Sequence, residues 1–237
     1  MIKRINSENM GKSNYGWLHG NFHFSFAEYF NPLNINFGVL RVLNHETIEA
    51  ESGFDTHPHK DMEIITYIEK GELTHGDSMG NSSVLTRGQM QYMSAGTGVN
   101  HSEFNKSNEK LKLLQIWIIP DKSGYEPNYG EFKFNWEERI NNLMHMVSSY
   151  EGDAPIKIHQ DINMYTTYLE KGKELSFDVN KGRQLYLVQI EGESTINEIN
   201  LKEEDALEVI EENIKIKADK DSHFILIEMK KNEHLYI

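Results

Sequence analysis

The stretch Phe54-Asp-Thr-His-Pro-His-Lys-Asp-Met-Glu-Ile-Ile-Thr-Tyr-Ile-Glu-Lys-Gly71 sets two histidines around a proline, then enters an apolar run that stops at a glycine. Successive strand side chains point to opposite faces, so His57 and His59 share a face if the segment is extended. Pro58 favours an extended conformation for His57. Further on, Gly96-Thr-Gly-Val-Asn-His-Ser-Glu103 repeats the spacing with His101 and Glu103. Two such strands side by side offer three imidazoles and one carboxylate to one point. That set suits a divalent iron, copper, nickel, manganese or zinc ion. A lone His-x-His in an acidic protein is more often incidental; the second pair is what gives the first its weight.

Around these motifs the chain reads as strands. Apolar or alternating runs at 22–27, 38–43, 64–68, 83–86, 90–93 and 111–119 are followed by others at 156–159, 165–169, 185–191, 206–209, 214–216 and 224–229. Short runs broken by Gly, Asn, Asp and Ser are the pattern of a sandwich or barrel. The run 111–119 is apolar on both alternating faces apart from Lys112 and Gln115, and so is expected to be a central strand. The best helix candidate is 136–146, where Trp136, Ile140 and Leu143 stand at near-helical spacing.

A loop-rich connector holding Pro120, Gly124, Pro127 and Gly130 divides the chain, and a weak internal repeat spans it. Tyr67-Ile-Glu-Lys-Gly-Glu-Leu-Thr resembles Val188-Gln-Ile-Glu-Gly-Glu-Ser-Thr. Aligning Gly71 with Gly192 sets Glu63 opposite Gln184, His59 opposite Asn180 and His57 opposite Asp178. The second half keeps the strand pattern and loses the histidines, so a metal site belongs to the first half.

Composition narrows the function. The 237 residues hold 24 Lys plus Arg against 37 Asp plus Glu, a formal net charge of −13, which disfavours nucleic acid or an anionic membrane as partner. The absence of cysteine excludes disulfides, thiol nucleophiles and Cys-based metal sites. The polar N-terminus lacks the apolar core of a signal peptide, and 113–119 is too short to span a bilayer, so a cytoplasmic protein is expected.

Gly53-x3-His57-x-His59-x3-Glu63-x7-Gly71, followed by Gly88-x5-Ser-Ala-Gly96-x4-His101-x3-Asn105, resembles the paired motifs of the cupin superfamily. HPHKDMEIITYIEKGELTHGDSMG with MSAGTGVNHSE, and the opening GWLHGNFHFSFAEYFNP, are similar to the pirin family, in particular to bacterial pirin-like quercetin 2,3-dioxygenases. The resemblance covers essentially the whole chain. It implies an all-β protein of two jelly-roll β-barrels facing each other, with few short helices: a metal-binding domain at 1–125 and a degenerate one at 126–237.

Carried over by position, the metal ligands are His57, His59, His101 and Glu103, holding one divalent transition metal, with iron the first expectation. Glu103 is also the expected catalytic base. Many cupins take their carboxylate from the first motif, here Glu63, which an unbroken strand would aim into the same barrel. It is kept as support for the histidines or as an alternative ligand. The implied reaction binds a flavonol such as quercetin through its 3-hydroxyl, adds dioxygen across the heterocyclic ring and releases carbon monoxide. The alternative is a pirin-like, metal-dependent redox sensor or regulatory module that binds a protein partner. His75 and Asp77 fit either support of the site or a turn, and His19 and His23 fit packing or the pocket edge. Gly71, Gly88, Gly96 and Gly98 read as turn residues, and His223 has no matching partner residue.

Overall fold

The computed structural model describes residues 1–231. Each half combines a seven-stranded and a four-stranded sheet. In the first half the large sheet runs Asn128–Phe132, Met90–Ser94, Glu63–Lys70, Leu111–Ile118, Leu40–Ile48, Leu18–Phe22, Gly11–Asn14. Leu111–Ile118 thus lies at the centre, between Glu63–Lys70 and Leu40–Ile48, as its two apolar faces imply. The small sheet runs Ser52–His59, Val99–Asn105, Glu72–Asp77, Ser82–Thr86.

The second half repeats this order. Its large sheet places Ala206–Ile210, Arg183–Glu191, Ser222–Lys230, Ile162–Leu169 and Met144–Ser149 in sequence, with Ile156–Ile158 beyond. Its small sheet is Glu174–Phe177, Ile214–Ala218, Glu193–Ile196, Ile199–Lys202. The aligned glycines occupy the same turn: Gly71 has φ +86° and Gly192 φ +85°. A Cβ at Gly71 would stand 2.7 Å from the Lys110 carbonyl oxygen, and one at Gly192 2.1 Å from that of Asp221. Positive φ and a backbone wall together require glycine.

Two strands pair across the division expected near residue 125. Ile2–Ile5 forms the edge of the second-half sheet against Ala206–Ile210. Asn128–Phe132 forms the edge of the first-half sheet against Met90–Ser94.

Strand alternation explains how the interiors differ. On Glu63–Lys70, Ile65 and Tyr67 face the second half and pack with Tyr186, Val188, Ile225 and Ile227 in one apolar cluster that joins the two large sheets. The alternate residues Ile64, Thr66 and Ile68 face into the first barrel. That interior is layered: Leu18, Ile48, Ile68, Leu73, Leu85 and Leu113 pack at one end, and Ile64, Met93 and Val99 form a separate cluster. The second interior is filled by Leu185, Leu187, Leu207, Ile216, Phe224, Leu226 and their neighbours. Burying each such side chain contributes about 1.5–3 kcal/mol.

Two local expectations are corrected. The helix expected at 136–146 is a short 3-10 turn, Trp136–Arg139, followed by the strand Met144–Ser149. Sheet pairing with Ile162–Leu169 outweighs the helical spacing. The run expected as a strand at 22–27 begins earlier, as Leu18–Phe22, and 23–27 is a loop apart from an isolated bridge.

Candidate metal centre

Ser52–His59 is the edge strand of the small sheet, where a proline costs no ladder hydrogen bond. Its partner Val99–Asn105 sets His101 directly opposite His57 and Val99 opposite His59. His57 and His59 share a face, as the i, i+2 spacing requires, and His101 meets them from across the ladder. The ring centroids of His57 and His101 are 4.5 Å apart, and each lies 4.8 Å from that of His59. One nitrogen from each of the three rings lies within 4.8 Å of the other two.

The donor set fits a metal. His57 Nδ1–H donates to the Asp55 carbonyl at 2.8 Å, which leaves Nε2 with its lone pair. That Nε2 lies 3.0 Å from His101 Nε2. Two nitrogens about 2.1 Å from one ion at about a right angle would be separated by this much. Burial first, then the neighbouring imidazoles, lowers His59 to about 4 and His101 to about 3. Both rings are therefore neutral at pH 7, the state a metal requires.

Glu103 follows a register shift after His101 and is buried, 2% exposed. Its Oε1 accepts Thr66 Oγ1 at 2.9 Å and Gln91 Nε2 at 2.7 Å, and its Oε2 accepts Gln115 Nε2 at 2.8 Å. The carboxylate lines the same cavity as the histidines without belonging to the close trio. Thr66, Gln91 and Gln115 were not singled out as site residues by sequence reasoning. Their signal was polarity on the inward face of apolar strands, with Gln115 noted only as an interruption.

The alternative ligand Glu63 is excluded. The chain turns through Asp61 at φ +48°, which resets the alternation between the two strands. Glu63 then faces away from the cavity, where its Oε1 accepts Ser94 Oγ and His159 Nδ1, each at 2.9 Å. His75 stands behind His101 at 5.6 Å, stacked on Tyr129 at 4.3 Å, with Nε2 3.1 Å from Asp77 Oδ2. Burial raises the Asp77 carboxyl, but hydrogen bonds from Asn81, His75 and the Met79 backbone outweigh it and leave it below its ordinary value. His23 is buried away from the site, against Tyr186 and His45. His19 lies 3.6 Å from Glu49 at the surface, and His223 is buried against Tyr67 and Thr166.

The histidines open into a cavity of about 250 Å³. Leu18, Phe22, Phe26, Phe54 and Trp117 supply its apolar wall, and Trp117 stands edge-on to His59 at 4.9 Å. Glu46 is a second carboxyl on the wall. Burial pushes it up to about 7, a hydrogen bond from Asn44 opposes this, and the charge of Glu103 adds to the rise.

Two cupin barrels in one chain, the first carrying a trio of histidines that opens into an apolar cavity, define a bicupin with one three-histidine cluster among the described residues. The family model described as Pirin matches residues 4–118, and that described as Quercetinase C-terminal cupin domain matches residues 145–229. Quercetin 2,3-dioxygenase of Escherichia coli (strain K12) is 39% identical over 97% of this chain and 99% of its own. The crystal structure of YhhW from Escherichia coli superposes with a TM-score of 0.93 at 38% identity, covering 99% of this chain and 100% of that one. A second YhhW structure, in complex with nickel(II), gives a TM-score of 0.92 at 38% identity, over 98% of this chain and 100% of that one. The chain belongs to the pirin family.

Proposed function

We propose that this protein is a metal-dependent dioxygenase that opens the heterocyclic ring of a flavonol such as quercetin with dioxygen and releases carbon monoxide. The observation that carries this reading is the three-imidazole cluster opening into an aromatic-walled cavity that also holds Glu103. The name of the Escherichia coli relative points the same way. His57, His59 and His101, with Glu103 as fourth ligand, would hold one divalent metal, iron first among the choices, and the nickel(II) complex of YhhW supports a divalent ion. When bound, that ion supplies Lewis acidity and redox chemistry toward an oxygen-bearing substrate and dioxygen.

The chain's own residues do the rest. Phe22, Phe26, Phe54 and Trp117 offer flat apolar surface to an aromatic ring and keep bulk water from it. Glu103 takes the proton of the flavonol 3-hydroxyl, and Thr66, Gln91 and Gln115 fix the angle at which its carboxylate meets that proton. The alternative of a regulatory module without turnover calls for a sealed site. His57 and His59 are only half-buried, and this access favours an enzyme.

Protein loaded with iron, copper or nickel is expected to bleach quercetin with matching oxygen uptake and carbon monoxide release. No loss of quercetin absorbance with any of these metals would overturn the assignment.

A further inference from the structure

On Leu40–Ile48 the side chains of Asn44 and Glu46 turn into the barrel, and Glu46 reaches the wall of the metal cavity. Its single hydrogen bond is weak: Oε1 accepts Asn44 Nδ2 at 3.2 Å. Among the described residues no cation pairs with it, although it is only 5% exposed. Burial of a carboxyl with so little compensation is costly, and native structures satisfy such groups from somewhere. Glu103, in the same cavity, shows the contrast, with three donors on its two oxygens. Glu46 Oε2 has no hydrogen-bond partner among the described residues and is not sealed in as Glu63 Oε2 is.

The strand register shows where Glu46 sits. It pairs with Leu113 on one side and Gly20 on the other. Directly opposed residues share a face, so a side chain at position 20 would stand beside the carboxyl. A Cβ there would lie 2.7 Å from the Phe22 ring and 2.8 Å from Ser13 Oγ, so glycine lets Phe22 lie over this point of the wall. Trp117, beside His59, is four residues further along the same neighbouring strand than Leu113, a backbone span of about 13 Å. The histidines therefore stand toward the Trp117 end of the cavity and the Glu46 backbone further down the strands, with its carboxyl on the wall beyond Glu103, near enough for the two charges to interact.

We propose that Glu46 is a specificity-determining residue that binds a hydroxyl on the part of an elongated aromatic substrate remote from the metal. This rests on the flavonol reading above and deepens it: the preferred substrates carry a phenolic hydroxyl at the far ring in addition to the one beside the metal.

The test uses holoprotein loaded with nickel(II), without oxygen, and two probes: quercetin, hydroxylated on its outer rings, and 3-hydroxyflavone, which is not. Binding is read by tryptophan fluorescence, with metal content measured on the same samples. Wild type is expected to bind quercetin about tenfold more tightly than 3-hydroxyflavone, the upper range of a single net hydrogen bond. Glu46→Leu should erase that preference while leaving 3-hydroxyflavone affinity and metal content unchanged, and Glu46→Gln should restore part of it. A preference that survives in Glu46→Leu overturns the role of Glu46 and leaves the dioxygenase reading standing. Wild type that holds its metal and binds neither probe overturns both.

Discussion

Thr66 and Glu63 lie three residues apart on one strand and serve opposite faces of it. Thr66 Oγ1 donates to Glu103 inside the barrel, while Glu63 accepts from His159 of the second half outside it. One strand thus supports Glu103 of the histidine cavity with one set of side chains and docks the second barrel with the other.

If the inward set builds the site, losing a ligand should cost metal and little else. For His57→Ala and His101→Ala we expect metal affinity to fall by more than the roughly 10–100-fold seen on removing outer partners of a ligand. The far-ultraviolet spectrum should be unchanged, because the core is apolar strand. A stoichiometric ion surviving in either variant, by elemental analysis, would show the assignment to be wrong.

Gln115→Leu removes the donor to Glu103 Oε2 without touching a histidine. Turnover should drop about 10–100-fold, as for the loss of a partner that orients a metal-site residue. Histidine ligation should persist, so metal content should fall far less than turnover. Equal losses of both would place Gln115 in general stability instead.

Arg139 is fully buried between the halves; it donates to Tyr67 Oη and to the Gly88 carbonyl, and stacks on Trp136 at 4.6 Å. Arg139→Ala leaves these acceptors without that donor and opens a cavity. We expect a loss of about 2–4 kcal/mol in denaturant unfolding. A loss under about 0.5 kcal/mol would mean that the guanidinium's burial cost cancels its bonds.

Acid should weaken the fold through His23 and His223. Burial lowers both well below the ordinary histidine value, with the charge of His45 adding for His23 and those of Arg139 and Arg87 for His223. Above about pH 6.5 each is neutral in folded and unfolded chains alike. Below it the unfolded chain takes up protons that the folded chain refuses, so stability falls with pH by up to about 1.4 kcal/mol per unit per histidine. Glu46 works in the opposite sense, since its raised value adds stability as pH falls through about 7. The readout is therefore the difference between wild type and His23→Gln/His223→Gln in melting temperature from pH 7.5 to 5.5. Parallel curves would refute the assignment.

Much of the fold was legible because its information is local. The apolar runs 64–68 and 111–119 and the glycines at the two aligned turns each needed only a few neighbours to interpret. The trio of histidines was legible for the same reason, since spacing on a strand determines facing. What escaped depended on distant partners. Trp136, Ile140 and Leu143 suit a helix until Ile162–Leu169 offers an open edge to Met144–Ser149. Glu63 shares the inward face with the histidines only if the chain runs straight through Asp61, and it does not. Nothing in the sequence ties Gln91 and Gln115 to Glu103; the barrel's closure brings them together.

The edge strand Ile2–Ile5 carries a consequence for biosynthesis. Arg4 pairs with Asp205, 201 positions later. At about 5–20 residues per second the ribosome needs on the order of ten to forty seconds to deliver that partner. Ile2–Ile5 is therefore made long before the strand that receives it, Ala206–Ile210, exists. Until then its apolar positions Ile2 and Ile5 lack the sheet edge that half-buries them.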